Sequence, residues 1–155
     1  MLAHYFDSPI GRLCVIGDDA ITGIFFQNSL PDLPEDPSDL LKEAERQIME
    51  YLEGERRAFD LPVRTGFGGF REAVMESMRR IPYGTVMTYG ALAQSAGYPG
   101  AARAAGTVCS RNPLPLIYPC HRIVPSSGGI GAFGGTPEVK RKLLTIEGYL
   151  TQRVS

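Results

Sequence analysis

This sequence is poor in the residue types that build covalent or metal-held frameworks. Its 155 residues include three cysteines, two histidines and no tryptophan. So few cysteines, in odd number, exclude a disulfide framework, and their positions (Cys14, Cys109 and Cys120) lack the paired spacing of zinc ligands. No apolar run reaches the length of a membrane-spanning helix, and no charged-then-apolar leader opens the chain. We therefore expect a reducing cytoplasm, no membrane and no metal. We also expect that the protein needs no cofactor.

The charge is divided unequally along the chain. Residues 1–65 carry six Lys+Arg against thirteen Asp+Glu, a net charge of −7, whereas residues 66–155 carry ten against four, a net charge of +6. A basic half attracts an anionic polymer even when the whole chain is near neutral. The second half is therefore predicted to bind nucleic acid, although a solvated surface is the simpler interpretation of any single charge.

The first half has the pattern of a small α/β unit. Two apolar runs, Leu13–Ile16 and Ile21–Phe26, predict strands joined by a hairpin, and Phe59–Val63 predicts a further strand. Ser38 or the residue after it is positioned to cap a helix that runs to about Glu53, with apolar residues at helical spacing. This half offers no catalytic constellation, so we interpret it as a scaffold.

The second half has the pattern of a helical domain. After a glycine-rich linker, short helices are predicted over about Thr88–Ala96 and from near Pro99 to about Ser110, with a glycine between them. A short helix, a turn with glycine and another short helix form the outline of a helix-turn-helix. The predicted fold is therefore an α/β N-terminal lobe (small antiparallel sheet plus helix, residues 1–66) followed by a mostly helical C-terminal domain with a helix-turn-helix (67–155).

The second of these short helices has an unusual composition. Residues 101–106 read Ala-Ala-Arg-Ala-Ala-Gly, so Arg103 is the single long side chain. Helices that read the major groove carry several long polar side chains, whereas small residues allow the close approach that a minor groove demands. The alternative is an alanine-rich core helix with one solvated arginine.

A thiol and an imidazole meet at one place in the chain, in the segment Pro119-Cys120-His121-Arg122-Ile123-Val124. Successive side chains of extended backbone point to opposite faces, so we expect a bridging water between Cys120 and His121 rather than direct contact. The alternative is a buried structural cysteine beside an incidental histidine. A glycine-rich loop, residues 126–135, follows; it can enclose a flat ligand, and the absence of GK[ST] excludes a P-loop.

Together these segments resemble the O6-alkylguanine-DNA alkyltransferases, a family of suicidal DNA repair proteins. The match lies in the order and spacing of Tyr89, the Ala-Arg103-Ala helix, Asn112-Pro113, the Pro119–Val124 segment, the Ser-Gly-rich loop and Leu-Leu-Thr-Ile-Glu147-Gly148. It covers about residues 70–149, and a weaker match at Asp7–Gly11 extends it to the N-terminus.

The resemblance implies an irreversible transfer of the alkyl group from O6-alkylguanine to Cys120, and it suggests O4-methylthymine as a second substrate. In the family a water links the acceptor cysteine to a histidine, whose other nitrogen meets a glutamate; the matching residues are His121 and Glu147. Asn112 matches the asparagine that ties the helix-turn-helix to the active-site segment. A thioether has no electrophilic carbonyl that water can attack, so single turnover follows from the bond chemistry.

The resemblance also implies how double-stranded DNA is bound. The alkylated O6 atom lies on the pairing edge of the base, so the nucleotide must leave the stack to enter a pocket. Arg103 matches the residue that fills the vacated position, and Tyr89 matches the tyrosine that helps to rotate the nucleotide out and is proposed to donate a proton to guanine. We expect minor-groove docking through the helix that carries Arg103, with DNA contacts from Ala102, Ala104 and Arg122.

The substrate pocket implied by the resemblance is formed by Pro115, Ile130, Phe133, Gly134 and Gly135. Phe133 stands where many relatives have tyrosine, which removes a hydroxyl but keeps an aromatic wall. Gly134 stands where some relatives have serine, and we hypothesise that it opens space for bulkier adducts. A comparison of methyl with benzyl adduct rates tests that hypothesis.

Other functions compete with this interpretation. A cysteine hydrolase needs an oriented base in direct reach of the thiol, and His4, the other histidine, is distant in sequence. A second alternative is a catalytically weak protein that recognises alkylated DNA. Proteins of this kind resemble the family in fold but lack the acceptor cysteine, whereas this chain has Cys120. A third alternative is a transcriptional regulator that uses the same helix pair, but we see no fused sensor domain that would favour it. We expect a monomer in a prokaryotic cytoplasm, associated with the nucleoid through DNA binding.

Overall fold

The computed structural model describes residues 2–131 and 135–150. The chain divides into two compact units, residues 1–65 and residues 66–155. The predicted fold class is confirmed, because a small antiparallel sheet with a helix precedes a mostly helical unit that contains a helix-turn-helix. No helix within the described residues is long and apolar enough to cross a membrane.

The sheet of the first unit has three antiparallel strands in the order β1 (Ala3–Phe6), β2 (Leu13–Gly17) and β3 (Ile21–Phe25). The central strand β2 is buried along its whole length. The predicted hairpin between β2 and β3 is confirmed, with Cys14 opposite Phe25. Sequence reasoning did not find β1, where His4 and Tyr5 interrupt the apolar pattern.

The strand predicted over Phe59–Val63 does not form. The structure has one isolated parallel bridge there, between Val63 and Ile21. Ile21 donates its N–H to the carbonyl of Pro62 at 2.8 Å and accepts from the N–H of Arg64 at 3.0 Å. Proline cannot donate to a ladder, so Pro62 limits the pairing to this one position.

Helix α1 (Asp39–Leu52) begins and ends as predicted. The Ser38 hydroxyl accepts a hydrogen bond from the N–H of Leu41 at 3.2 Å, which satisfies one of the N–H groups exposed at a helix start. The predicted apolar stripe is buried at every position: Leu41, Ala44, Ile48, Tyr51 and Leu52.

Over residues 66–131 and 135–150, the second unit contains the four helices α2 (Gly69–Arg79), α3 (Tyr89–Ser95), α4 (Ala102–Ser110) and α5 (Pro137–Ile146). Helices α3 and α4 pack on each other and form the helix-turn-helix. Helix α4 begins later than predicted, since Gly100 adopts a φ of +85° that no right-handed helix contains, and Pro99 lies in the turn before it.

A short parallel pair of strands connects the helix-turn-helix to the Cys-His segment. Strand β4 (Met87–Thr88) pairs with β5 (Ile123–Val124), with Met87 opposite Ile123. Because α3 starts directly after β4, and β5 directly follows the turn Cys120–Arg122, the pairing fixes the start of α3 relative to that turn.

Candidate active site

The thiol of Cys120 lies inside the second unit, with only 2% of the residue exposed. Cys120 opens a single 3₁₀ turn, Cys120–Arg122, in which the N–H of Arg122 donates to the carbonyl of Pro119 at 2.9 Å. The N–H of Cys120 donates to the carbonyl of Tyr118 at 2.8 Å. The backbone on both sides of the thiol is therefore fixed by hydrogen bonds.

A buried carboxylate organises the residues that follow Cys120. Glu147, at the C-terminal end of α5, accepts from Arg122 Nε at 2.9 Å and Nη2 at 2.8 Å, and from the N–H of Gly84 at 3.1 Å. His121 Nε2 lies 2.7 Å from Glu147 Oε2. A carboxylate that meets a guanidinium, a backbone N–H and an imidazole is held in one orientation. The predicted His121 and Glu147 are thus brought together.

Arg122 was expected to contact DNA, and its position contradicts that expectation. Arg122 is only 7% exposed. Nη1, the terminal guanidinium nitrogen that does not bind Glu147, donates to the carbonyl of Ile81 at 2.7 Å. A guanidinium bound in this way is directed inward and cannot reach a phosphate. The turn places Arg122 against Glu147, so the arginine neutralises that carboxylate.

Asn112 connects the end of α4 to the residues that precede Cys120. Its Nδ2 donates to the carbonyl of Tyr118 at 2.8 Å, and its Oδ1 accepts from the N–H of Leu114 at 2.9 Å. These two bonds fold residues 112–118 into a compact segment, in which Leu116 adopts the strained φ of +77°. Asn112 also acts on the thiol, because its side chain lowers the pKa of Cys120 against the larger, opposite effect of burial.

The electrostatics of the site favour neutral forms at rest. Burial raises the pKa of Cys120, and this effect outweighs the hydrogen bond from Asn112 and the charge of Lys140, both of which lower it. Burial lowers the pKa of His121, although Glu147 acts in the opposite direction. Neutral imidazole is the form that can accept a proton. Both groups therefore favour their neutral forms, a thiol at Cys120 and at His121 an imidazole that can accept a proton.

Tyr89 is the first residue of α3 and is half-buried. Its ring packs on the small residue of α4, because a Cβ atom at Gly106 would lie 3.6 Å from Tyr89 Cδ1. Burial raises the pKa of Tyr89, and negative charge on Cys109 or Cys120 raises it further. Tyr89 directly follows β4, and β4 pairs with β5 next to the Cys120–Arg122 turn, so the start of α3 is held near the Cys-His segment.

A groove of about 410 Å³ opens beside Tyr89 and is lined by Thr88, Tyr89, Gly90, Ala102, Arg103, Gly106, Pro125, Ser126 and Ser127. Arg103 and Ala104 are exposed on α4, and Ala102 is partly buried. The wall formed by residues 125–127 was missing from our predicted DNA contacts. The sequence offered one indication of this wall, because residues 125–127 directly follow β5 and lead into the glycine-rich loop.

The predicted substrate pocket is described only in part. Phe133 and Gly134 lie outside the described residues, while Ile130 and Gly135 on either side are partly exposed and Pro115 is buried. Lys140 is a further buried residue that our site prediction omitted. Its spacing was an available signal, because positions 140, 143, 144 and 147 share one face of a helix.

The fold and site define a helix-turn-helix unit that carries a buried thiol and an associated histidine–glutamate pair. Family models described as "6-O-methylguanine DNA methyltransferase, ribonuclease-like domain" and "6-O-methylguanine DNA methyltransferase, DNA binding domain" match residues 1–65 and 69–149. The chain belongs to this family, which confirms the family resemblance seen in the sequence.

Individual relatives agree with the family models over nearly the whole chain. The methylated-DNA--protein-cysteine methyltransferase of Methanosarcina acetivorans is 33% identical over 151 residues, which is 92% of this chain and 96% of that protein. The constitutive enzyme of that name from Bacillus subtilis is 32% identical and covers 91% of this chain and 92% of its own length.

Solved structures show the same fold. Mycobacterium tuberculosis OGT in complex with DNA superposes with a TM-score of 0.88 at 33% identity, covering 96% of this chain and 93% of that one. The O6-methylguanine-DNA methyltransferase of Pyrococcus kodakaraensis gives a TM-score of 0.71 at 27% identity, with 95% and 99% coverage.

Proposed function

We propose that this protein repairs DNA by direct damage reversal, as a methylated-DNA--protein-cysteine methyltransferase. The observation that carries the proposal is the buried Cys120 next to the His121–Glu147 pair, in the same unit as a helix-turn-helix with an exposed Arg103. The sulfur of Cys120 attacks the alkyl carbon on O6 of guanine, and an S–C bond forms. The C–O6 bond breaks, its electron pair stays with guanine, and guanine is protonated.

The proton of the thiol leaves through a bridging water to His121. Nε2 of that imidazole is engaged by Glu147 at 2.7 Å, so the water lies between Cys120 and Nδ1. Tyr89, the first residue of the helix that follows β4, donates the proton that guanine takes up. General acid–base help of this kind contributes about 10²–10⁴-fold to a rate.

The DNA partner is a duplex that carries O6-alkylguanine and is approached through the minor groove. Small residues on α4 allow close approach, and exposed Arg103 fills the position of the nucleotide that has left the stack. The groove beside Tyr89, with the hydroxyls of Thr88, Ser126 and Ser127, gives a path toward the acceptor. The relative from Mycobacterium tuberculosis, solved in complex with DNA, supports DNA as the partner.

The proposal also assigns a role to each part of the chain, a single turnover to each molecule and a reducing compartment to the protein. Residues 1–66 act as scaffold, and residues 67–155 carry DNA binding and the acceptor. Each monomer transfers one alkyl group, because a thioether gives water no carbonyl to attack. The acceptor sulfur must stay reduced, which a prokaryotic cytoplasm provides.

Intact mass after mixing the protein with duplex DNA carrying one O6-methylguanine tests this function. We expect a gain of one CH₂ equivalent that maps to Cys120 and a DNA strand restored to guanine, with no gain for Cys120→Ser. Binding of the lesion by folded, reduced protein without transfer would favour the recognition protein. Release of a hydrolysed product with unmodified Cys120 would favour a cysteine hydrolase.

A further inference from the structure

A tight turn, residues 82–85, connects α2 to β4 and reaches the buried carboxylate of the candidate active site. The N–H of Thr85 donates to the carbonyl of Pro82 at 3.2 Å, and Gly84, the third residue of the turn, has a φ of +79°. A positive φ at the third position is what a type II turn requires, and glycine adopts it without steric cost. The shape of this turn therefore depends on a glycine at position 84.

The turn donates to Glu147 at the oxygen that does not face His121. Oε1 accepts from the N–H of Gly84 at 3.1 Å and from Arg122 Nε at 2.9 Å. Oε2 accepts from Arg122 Nη2 at 2.8 Å and lies 2.7 Å from His121 Nε2. Because the Gly84 N–H engages Oε1, the carboxylate presents Oε2 to the imidazole, and burial of the Glu147 side chain keeps water from replacing these partners.

Glycine allows the turn to approach the end of α5 closely. A Cβ atom at position 84 would lie 3.0 Å from the backbone carbonyl oxygen of Glu147. Such a contact is tighter than a side-chain carbon normally makes, so the turn or the end of α5 would have to move. The positive φ of Gly84 also disfavours any residue with a side chain. Two separate constraints, backbone shape and close approach, thus act at the residue whose N–H meets the carboxylate.

Tyr83 attaches the same turn to both sides of the ion pair. Its hydroxyl donates to the carbonyl of Ile146, the residue before Glu147, at 3.3 Å. The centre of its ring lies 5.6 Å from Arg122 Cζ, within the range of a cation–π contact. Arg122 Nη1 donates to the carbonyl of Ile81, directly before the turn, at 2.7 Å. Residues 81–84 therefore hold the backbone that carries the carboxylate and the guanidinium that neutralises it.

We propose that this turn is a positioning element of the proton relay, in which Gly84 and Tyr83 hold Glu147 in the orientation that keeps the proton of neutral His121 on Nε2. The proposal deepens the proposed function and rests on it for the part that the relay plays in transfer. The turn exchanges no proton and acts through the carboxylate. Displacement of the turn should free the imidazole proton to move to Nδ1, the atom that has to stay unprotonated to accept a proton from the bridging water.

Nitrogen NMR of labelled histidine measures this tautomer without DNA or an alkyl donor. The chain has two histidines, and a His4→Gln variant assigns the two sets of ring signals. In the wild type we expect His121 to show a protonated Nε2 and an unprotonated Nδ1. In Gly84→Ala we expect both ring nitrogens of His121 to shift toward the average of the two tautomers, and the Nε2 proton to exchange faster with solvent. The His4 signals should stay in place.

Gly54→Ala is the matched control for backbone strain. Gly54 has the same φ of +79°, and no described atom lies within 4 Å of a Cβ built there, so its His121 signals should match the wild type. Tyr83→Phe keeps the ring and removes the hydroxyl, so it should move the His121 signals in the same direction as Gly84→Ala but less far. Tyr98→Phe, which removes a hydroxyl from a residue that is 42% exposed, should not move them.

Wild-type His121 signals in both Gly84→Ala and Tyr83→Phe would overturn the proposal. If Gly84→Ala does not fold, Tyr83→Phe decides alone, and unchanged His121 signals in that variant overturn the proposal. A turn with only a structural role would lower the melting temperature of these variants and leave the tautomer of His121 in place.

Single-turnover transfer from O6-methylguanine duplex then tests the consequence for repair. Gly84→Ala should slow transfer about tenfold or more, since a misplacement of about 1 Å in a positioned group costs up to about 100-fold. Gly54→Ala should keep the wild-type rate. Absence of transfer in the wild type would defeat the proposed function, whereas the histidine signals would still report on the turn.

Discussion

His121 Nε2 lies 2.7 Å from Glu147 Oε2, and the two side chains are 1% and 0% exposed. A carboxylate at this nitrogen holds the proton of the neutral imidazole on Nε2 and leaves Nδ1 as the basic atom. Glu147 itself is fixed by Arg122 and by the N–H of Gly84. The relationship therefore sets both the orientation and the tautomer of the imidazole that we propose as the base for the Cys120 proton.

Replacement of this carboxylate should reduce stability and transfer together. Glu147→Gln removes the charge that Arg122 neutralises and leaves a buried guanidinium uncompensated, which costs about 3–5 kcal/mol of unfolding free energy. Denaturant unfolding and single-turnover transfer measure the two effects. Glu138→Gln, an exposed change on the first turn of the same helix, is the matched control. Glu147→Gln with wild-type stability would contradict the buried pair.

The pH dependence of transfer should reflect the imidazole. Burial lowers the pKa of His121 below 6.5, so the neutral base persists below that pH. The rate of transfer should hold steady from neutral pH down to 6.5 and decline only at lower pH, as protonation removes the acceptor of the thiol proton. Single-turnover rates from pH 5 to 8, on protein shown to be folded, measure the profile. A decline centred above pH 6.5 would show that the imidazole is not shielded as described.

Arg103 should matter for paired DNA more than for an isolated base. Arg103→Ala removes the side chain that we propose takes the place of the flipped nucleotide in the base stack. Transfer from duplex DNA should therefore slow by tenfold or more, while transfer from free O6-methylguanine base should change little. Lys42→Ala removes the same charge from an exposed position on α1 of the first unit and controls for net charge. Equal losses on duplex and free base would instead indicate a damaged active site.

Asn112 should stabilise the acceptor segment through its two hydrogen bonds. Asn112→Ala removes one of the two hydrogen bonds to the carbonyl of Tyr118 and leaves the N–H of Leu114 unpaired, which costs about 1–3 kcal/mol. It should also slow transfer, because an interaction that lowers the pKa of Cys120 is lost. Asn112→Asp keeps the acceptor for Leu114 and should have a smaller effect on stability. Unfolding curves and transfer rates of both variants provide the comparison.

His4 should make the stability of the first unit depend on pH. Burial lowers the pKa of His4, but hydrogen bonds and charges of Glu45, at 2.5 Å from Nε2, and Glu35, at 2.9 Å from Nδ1, raise it above 6.5 overall. A folded pKa above the unfolded one adds stability that is complete below pH 6.5 and lost as pH rises through the folded pKa. His4→Gln should flatten the melting temperature between pH 6 and 8; an unchanged slope would refute this role.

Much of the fold could be predicted because local chemistry decides it. Ser38 before an apolar stripe fixed the start of α1, and the hairpin between β2 and β3 followed from two apolar runs. The strand proposed over Phe59–Val63 failed because Pro62 cannot donate, and β1 was missed because His4 interrupts its pattern. Propensity alone does not report which partner a strand finds.

The site was less accessible to sequence reasoning. Cys120 and His121 stand out as neighbours, but Glu147 was found only through the family resemblance, since an acidic residue at the end of an amphipathic helix looks like a surface charge. Arg122 was expected among the DNA contacts, and its inward direction depends on a three-residue turn that the sequence pattern does not reveal. Lys140 lay on the apolar face of α5 and was not interpreted.

The most direct test of the account is the number of alkyl groups that one protein molecule accepts. The protein is incubated with increasing molar excess of O6-methylguanine duplex, and repaired guanine is counted per protein together with the modification at Cys120. The account predicts a plateau at one repaired base per molecule, with Cys120 fully methylated. Repair that continues beyond one base per molecule, or repair with Cys120 unmodified, would contradict it.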